Sequence, residues 1–190
     1  MTEVENIINS VFPISKKSFS EINELLVYKN FKSGSNLISI NKKEVYEYFL
    51  LEGICGSYLT NPEGDEIIIS FFNEKSVVSP HLTRTRNDIS LLNLKSLTDT
   101  KVAIINAKDF LNLMINNLEI REFGNTVLRN ELIKKVNKEI GFVSLTAKER
   151  LLKFREEFPS FENMIPHPYI ASYLGITNVS LSRLRKEISK

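Results

Sequence analysis

The sequence predicts an α+β fold: two short helices, a β-barrel or sandwich, one long helix and a C-terminal helix–turn–helix. Three patterns carry this prediction. Short apolar strands follow one another closely from about residue 27 to 106, helical periodicity returns at Asn106, and two short helical segments flank Gly175. A chain of 190 residues with 42% hydrophobic and 25% charged residues has an ordinary globular composition. We therefore expect a substantial core.

The N-terminal segment predicts two short helices. Val4, Ile7 and Ile8 recur at helical spacing and predict a helix over residues 2–10. A second helix is predicted to begin at Ser18, because Ser18 and Glu21 have the spacing of a capping box.

The middle of the chain predicts β-structure. Residues 46–72 are predicted to form a β-hairpin whose turn lies at residues 61–65, where a proline and a glycine favour a turn. Gly53 and Gly56 mark a bulge or bend in this segment. Further strands are predicted at residues 27–31, 37–40, 76–78, 90–97 and 101–105. Many short strands without an intervening long helix are typical of a closed barrel or sandwich.

A long helix is predicted over residues 119–140, after a shorter one over residues 109–118, and Gly141 is expected to end it. Its apolar stripe can cover the helix's own domain or pair with a second copy of the chain, and Gly124 would permit close approach. The residues of this stripe are Ile120, Phe123, Val127, Leu128, Leu132, Val136 and Ile140.

The last third of the chain predicts three helices. Thr146 and Glu149 form a capping box that opens a helix to about Glu157. Residues 167–190 then predict two helices, with Gly175 at the break and Thr177 as the N-cap of the second. Residues of the second helix that can face outward are Asn178, Ser182, Arg183, Arg185 and Lys186. The pattern suits a DNA major groove but also occurs in helical domains that do not bind DNA.

Charge and cysteine content narrow the function classes. Residues 129–190 hold 12 Lys and Arg against 7 Asp and Glu, a net of +5 within a chain of net +2. A basic C-terminal third favours a polyanionic partner. The single cysteine, Cys55, excludes internal disulfides and cysteine-ligated metal clusters. With neither a secretion signal nor an apolar run long enough to span a bilayer, the sequence predicts a cytoplasmic protein without a membrane partner.

The order of these parts resembles the Crp/Fnr family of bacterial transcription regulators, in the form common among Bacteroidetes. Residues 49–53 (FLLEG) resemble a family strand, and residues 62–66 (PEGDE) its hairpin turn. Residues 146–151 (TAKERL) are similar to the opening of the family's DNA-binding domain. Residues 170–177 (IASYLGIT) with 181–185 (LSRLR) resemble its helix–turn–helix. The resemblance implies a cyclic-nucleotide-binding-like β-barrel or jelly roll over residues 1–118, a dimerisation helix over 119–141 and a DNA-binding domain over 142–190.

The resemblance also implies partners and site residues. A homodimer, paired through the stripe of the long helix, would present two recognition helices to double-stranded DNA, with RNA polymerase as a further partner. The base-contacting residues would be Asn178, Ser180, Ser182 and Arg183, of which Arg183 can bind guanine O6 and N7. The phosphate-contacting residues would be Tyr169, Thr177, Arg185 and Lys186.

The sensor half departs from the family pattern. Residues 76–92 lack the Gly-Glu-Leu turn and the arginine that hold a cyclic nucleotide, so a degenerate domain that does not bind cAMP is expected. Arg84, Arg86 and Ser90 are the candidates for binding an unknown small effector. His81 and His167 lie far apart in the sequence and give no haem or zinc site, so neither a metal nor a cofactor is expected.

Two other function classes are considered. The chain could be a ligand-sensing module whose C-terminal helices bind a protein, in which case affinity for duplex DNA would show no salt dependence. An enzyme is not expected, because no nucleophile with a paired base, metal cluster or phosphate-binding glycine loop is present. The acids Glu63, Asp65 and Glu66 are expected to be exposed on a hairpin turn.

Overall fold

The computed structural model describes residues 1–78, 84–86 and 88–188. The chain divides into two compact units. The first comprises Met1–Gly56 and Phe71–Leu132, and the second comprises Ser57–Ser70 and Ile133–Lys190. The predicted domain boundaries at residues 118 and 141 remain a prediction.

Two capped helices begin the first unit. Helix α1 spans Glu3–Val11, and a capping box between Thr2 and Glu5 starts it. Helix α2 spans Lys16–Asn23. The prediction that Ser18 caps α2 is wrong: the Ser15 hydroxyl accepts from Ser18 N at 3.2 Å, and Ser18 lies buried inside the helix.

Within the residues that the structure describes, ten strands form two four-stranded sheets and a two-stranded ribbon, in the orders β1-β10-β3-β6, β2-β9-β4-β5 and β7-β8. The strands are β1 (Val27–Phe31), β2 (Asn36–Ile38), β3 (Tyr46–Glu52), β4 (Cys55–Thr60), β5 (Glu66–Phe72), β6 (Ser76–Val78), β7 (Arg84–Arg86), β8 (Ile89–Ser90), β9 (Asn93–Ser96) and β10 (Thr100–Asn106). The predicted single hairpin over residues 46–72 is wrong, because β3 and β4 belong to different sheets. Gly53, with φ +89°, lies between β3 and β4. Of the three strands in residues 46–72, β4 and β5 are the pair that lie side by side in one sheet.

Strand β3 is buried on both faces, and its alternating side chains contribute to two separate clusters of the core. Phe49 and Leu51 join a cluster that includes Ile7 of α1 and Ile22 of α2. Tyr48, Leu50, Cys55 and Leu94 belong to a second cluster. Because successive side chains of a strand point to opposite faces, one strand connects the helical layer to the interior of the β-sandwich.

Two further helices follow the β-sandwich. Helix α3 spans Ala107–Asn116 and is capped by Asn106. Helix α4 spans Leu118–Ser144, so Gly141 does not end it. The amide of Leu145 still donates to the Gly141 carbonyl at 3.1 Å, which continues the helical hydrogen-bond pattern past the glycine.

The second unit holds four short helices around an aromatic core. They are α5 (Ala147–Glu157), α6 (Phe161–Met164), α7 (His167–Tyr173) and α8 (Asn178–Ile188). The predicted capping box of α5 is confirmed: the Thr146 side chain accepts from Glu149 N, and the Glu149 carboxylate accepts from Thr146 N. Phe154, Phe158 and Phe161 are buried with ring centroids 4.6–6.3 Å apart.

Candidate nucleic-acid interface

A four-residue turn joins α7 to α8. Gly175 adopts φ +66°, and a Cβ atom there would lie 2.9 Å from the Phe142 ring, so both backbone and packing require glycine. Thr177 caps α8 as predicted, its hydroxyl accepting from Ser180 N at 3.2 Å. The turn therefore fixes where α8 begins relative to α7.

One side of α8 packs inward, and the other carries polar and basic groups. Leu181 is buried, as are Ile170, Ala171 and Leu174 of the preceding segment. The exposed residues of α8 that share one face are Asn178, Val179, Ser182, Arg183 and Lys186. They recur at spacings of three and four, which places them in adjacent rows of the helix surface.

Three of the four predicted base-contacting residues lie on this exposed face: Asn178, Ser182 and Arg183. Among the described residues, the Arg183 guanidinium has no hydrogen bond or ion pair, so it can meet an external acceptor without breaking a contact. Ser180 is half-buried, and its hydroxyl lies 3.0 Å from that of Thr177. Val179 is 70% exposed and does not pack into the core.

The predicted phosphate-contacting residues differ in their availability. Lys186 and Thr177 are exposed. The Tyr169 hydroxyl donates to the Glu66 carboxylate at 2.8 Å. Arg185 forms an ion pair with Glu162 at 2.9 Å and lies 3.0 Å from a ring nitrogen of His167.

Glu66 and Glu162 were not identified from the sequence as residues of this region. Glu66 was expected to be exposed on the hairpin turn, but it is partly buried, and Glu162 is only 14% exposed. Glu66 lies 103 positions from its partner Tyr169, and no local pattern signals such a contact.

The predicted effector residues do not form a site that the structure describes. Ser90 of β8 is fully buried, and its hydroxyl donates to the Leu92 carbonyl at 2.6 Å, so it is not free to bind an effector. Arg84 and Arg86 belong to β7, which pairs with β8. His81 lies outside the described residues. Within the described residues, no group of three or more His, Cys, Asp or Glu is arranged to hold a metal ion.

A cavity of about 230 Å³ lies in the first unit near the start of α3. Glu44, one of its lining residues, is hydrogen-bonded within the protein. Its carboxylate accepts from Val45 N and Tyr46 N at 2.9 Å and from Tyr48 Oη at 3.3 Å. The other lining residues are Lys43, Val45, Asp88, Asn106, Ala107, Lys108 and Leu111. Ser90 is not among the described residues that line this cavity.

The predicted dimer stripe of α4 requires a correction. Ile120 and Phe123 are buried in the core of their own protomer and cannot contact a partner. Leu132, Val136 and Ile140 of the stripe are exposed. Ile133 and Val143, which the predicted stripe does not include, are exposed as well. Gly124 accommodates Met114 of α3, since a Cβ there would lie 2.6 Å from the methionine methyl. The close approach at Gly124 is therefore made within the protomer.

Lys138 is the electrostatically unusual group of the second unit. Its ammonium donates to the Ile69 carbonyl at 2.6 Å and lies 3.8 Å from the centroid of the Tyr173 ring. Burial, assisted by the positive charge of Lys135, lowers the pKa of Lys138 to about 7, while Glu157 acts in the opposite direction. The amine is therefore partly neutral near physiological pH.

A comparison with known families matches part of the chain. Residues 28–117 match the family model described as the cyclic nucleotide-binding domain. The match covers just under half of the chain. No curated protein matches the sequence. The matched residues include strands β2 to β10 and helix α3.

Several solved structures share the fold over most of the chain. FixK2 from Bradyrhizobium japonicum has a TM-score of 0.75 at 17% identity, over 86% of this chain and 84% of its own. CLP from Xanthomonas campestris, a c-di-GMP-responsive global regulator, has a TM-score of 0.72 at 12% identity, over 92% of both chains. A Crp/Fnr-family transcriptional regulator from Eubacterium rectale has a TM-score of 0.71 at 18% identity, over 95% of this chain and 88% of its own.

These likenesses confirm the coarse prediction of a mixed helix-and-sheet fold with a cyclic-nucleotide-binding-type sandwich and a long helix. Two of these structures, CLP and the Eubacterium rectale protein, are described as regulators. Among the residues described here, no helix is long and apolar enough to cross a membrane.

Proposed function

We propose that the protein is a homodimeric, sequence-specific DNA-binding transcription regulator whose cyclic-nucleotide-binding-type domain does not bind cAMP. The observation that carries the proposal is the exposed face of α8, where Asn178, Ser182 and Arg183 stand beside one another on a helix anchored by Leu181. A capped helix with unpaired polar and basic groups on one face is the form in which a recognition helix enters a major groove.

Arg183 is the proposed base-reading residue. Its guanidinium can donate two parallel hydrogen bonds to guanine O6 and N7, a contact worth about 1–3 kcal/mol of discrimination. Asn178 at the start of α8 can pair with adenine, and the methyl groups of Val179 can contact a thymine methyl. Lys186 and Thr177 contribute phosphate contacts that position the helix.

The proposed dimer forms through the distal half of α4. Ile133, Val136, Ile140 and Val143 are exposed and follow spacings of three, four and three, which is the a/d spacing of a coiled coil. Pairing this stripe with its copy would bury side chains that water otherwise covers. A two-fold dimer presents two copies of α8 to a two-fold operator.

An effector can regulate the protein only by binding one arrangement of the dimer better than another. Ser76–Val78 and the segment after it lack the family's cyclic-nucleotide residues, so we propose a different small effector or a purely scaffolding role for this domain.

Selection of bound duplexes from a random pool tests the function, and an enriched two-fold motif is the expected result. On the selected duplex, Arg183→Ala should weaken binding by about 1–3 kcal/mol while leaving affinity for random duplex nearly unchanged. Lys186→Ala removes one positive charge from the same exposed face and should weaken both affinities about equally. Equal losses on both duplexes for Arg183→Ala would refute base reading by that residue. A binding constant that does not change with salt would favour the protein-binding alternative.

A further inference from the structure

The segment Ser57–Ser70 is part of the same compact unit as helices α5 to α8. It carries most of strands β4 and β5 with the turn between them, and we call it the hairpin. Two of its residues bond to α7. The Glu66 carboxylate accepts from the Tyr169 hydroxyl at 2.8 Å, and the Ile68 amide donates to the Ser172 hydroxyl at 3.1 Å. Tyr169 and Ser172 are three residues apart and therefore share a face of α7.

The same strand is also held by two lysines of α4. Lys138 donates to the Ile69 carbonyl and Lys135 to the Ser70 hydroxyl, each at 2.6 Å. Ile68, between these contacts, is 2% exposed. Four hydrogen bonds around a buried apolar side chain make this a specific contact rather than a loose surface encounter.

The contact bears on nucleic-acid binding through Tyr169. In a helix–turn–helix the first helix crosses the DNA backbone, and tyrosine hydroxyls are among the groups that donate to phosphate oxygens. A phenolic hydroxyl has a single proton to donate. While Tyr169 donates to Glu66 it cannot donate to a phosphate.

We propose that the hairpin is an autoinhibitory latch, in which Glu66 occupies the hydroxyl that Tyr169 would otherwise offer to the DNA backbone. The inference rests on the proposed DNA-binding function and adds its regulation: DNA and the hairpin compete for one face of α7. An effector that releases the hairpin raises the affinity for DNA without contacting α8.

The test compares two substitutions that remove the same charge from the same hairpin. Glu66→Ala removes the acceptor of Tyr169, whereas Glu63→Ala removes an exposed carboxylate near the turn. On the duplex selected above, Glu66→Ala should tighten binding by about two- to tenfold relative to Glu63→Ala, the factor expected for one hydrogen bond. In a Tyr169→Phe background, Glu66→Ala should give no more than Glu63→Ala does. Equal affinities of the two single variants, or weaker binding by Glu66→Ala, would overturn the latch.

A second measurement tests, in the absence of DNA, whether Glu66 holds the hairpin against α7. Hydrogen exchange of the amides of α7 and of Ile68 should accelerate in Glu66→Ala and stay at the wild-type rate in Glu63→Ala. Wild-type exchange rates in Glu66→Ala would overturn the latch even where DNA binding is intact. If exchange accelerates but neither the wild type nor any variant binds duplex DNA, the proposed function has failed although the contact is real, and the inference falls with it.

Discussion

Replacing Lys138 with methionine should remove a pH dependence from the stability of the second unit. The pKa of Lys138 is about 7 in the folded chain, against an ordinary value of 10.5, chiefly because the amine is buried. Between these two values the unfolded chain holds a proton that the folded chain does not. Stability therefore rises with pH across this window and is lost as pH falls towards 7.

The structure sets the size of the effect. Each pH unit between about 7 and 10.5 can add up to about 1.4 kcal/mol to the free energy of unfolding. Because Lys138 is only partly buried and Glu157 opposes the shift, we expect about 2 kcal/mol between pH 7 and pH 9. The hydrogen bond to the Ile69 carbonyl does not change this sign, since a neutral amine also donates.

Urea unfolding followed by circular dichroism at several values between pH 6.5 and 9 measures the effect. The wild type should gain stability across the series, and Lys138→Met should be flatter by about 2 kcal/mol. Lys134→Met is the matched control, because Lys134 is an exposed lysine of the same helix, and it should keep the wild-type slope. A Lys138→Met slope equal to that of the wild type would refute the assignment to this amine.

Three further predictions test packing and assembly. Gly53→Ala should lower the free energy of unfolding by about 2 kcal/mol or more relative to Gly64→Ala, as measured by urea titration. Both glycines have positive φ, but only at Gly53 would a Cβ lie 2.4 Å from a backbone carbonyl oxygen. Ile140→Glu should shift the proposed dimer towards monomer in sedimentation experiments, whereas substituting exposed Asn137 by Glu should disturb it less; an equal effect would refute the stripe. Thr146→Ala should cost about 1 kcal/mol in thermal unfolding, from the loss of its side-chain cap, and no loss would contradict that role.

Local chemistry made part of the fold predictable. Thr146 and Glu149 cap α5 as their spacing indicates, because a capping box is completed within four residues. The same signal misled at Ser18, where Ser15 three residues earlier is an equally good cap and tertiary packing decides between them. Ser18 is buried, and its hydroxyl donates to Glu119 at 2.6 Å, across 101 positions of sequence.

In the candidate interface, too, the features set by local sequence could be predicted, and the contacts between distant residues could not. The exposure of Arg183 follows from helical periodicity, because buried Leu181 fixes which face of α8 turns inward. The hydrogen bond from Tyr169 to Glu66 depends on how the hairpin packs. Because its two residues are 103 positions apart, no periodic sequence pattern predicts it. Periodicity therefore predicts which side of a helix is buried, but not the partner of a polar side chain.

Helix α4 shows how one apolar pattern can serve two purposes. A helix advances roughly 100° per residue, so Phe123 and Val127 lie within roughly 60° of Ile120, on the face that packs into the first unit. Ile133 and Ile140 lie roughly 200–220° from Ile120, on the opposite face, and both are exposed. What the sequence offers as one drifting stripe is thus two stripes on opposite faces. Since both use the same residue types, burial alone separates the stripe that stabilises the protomer from the stripe proposed to pair two copies.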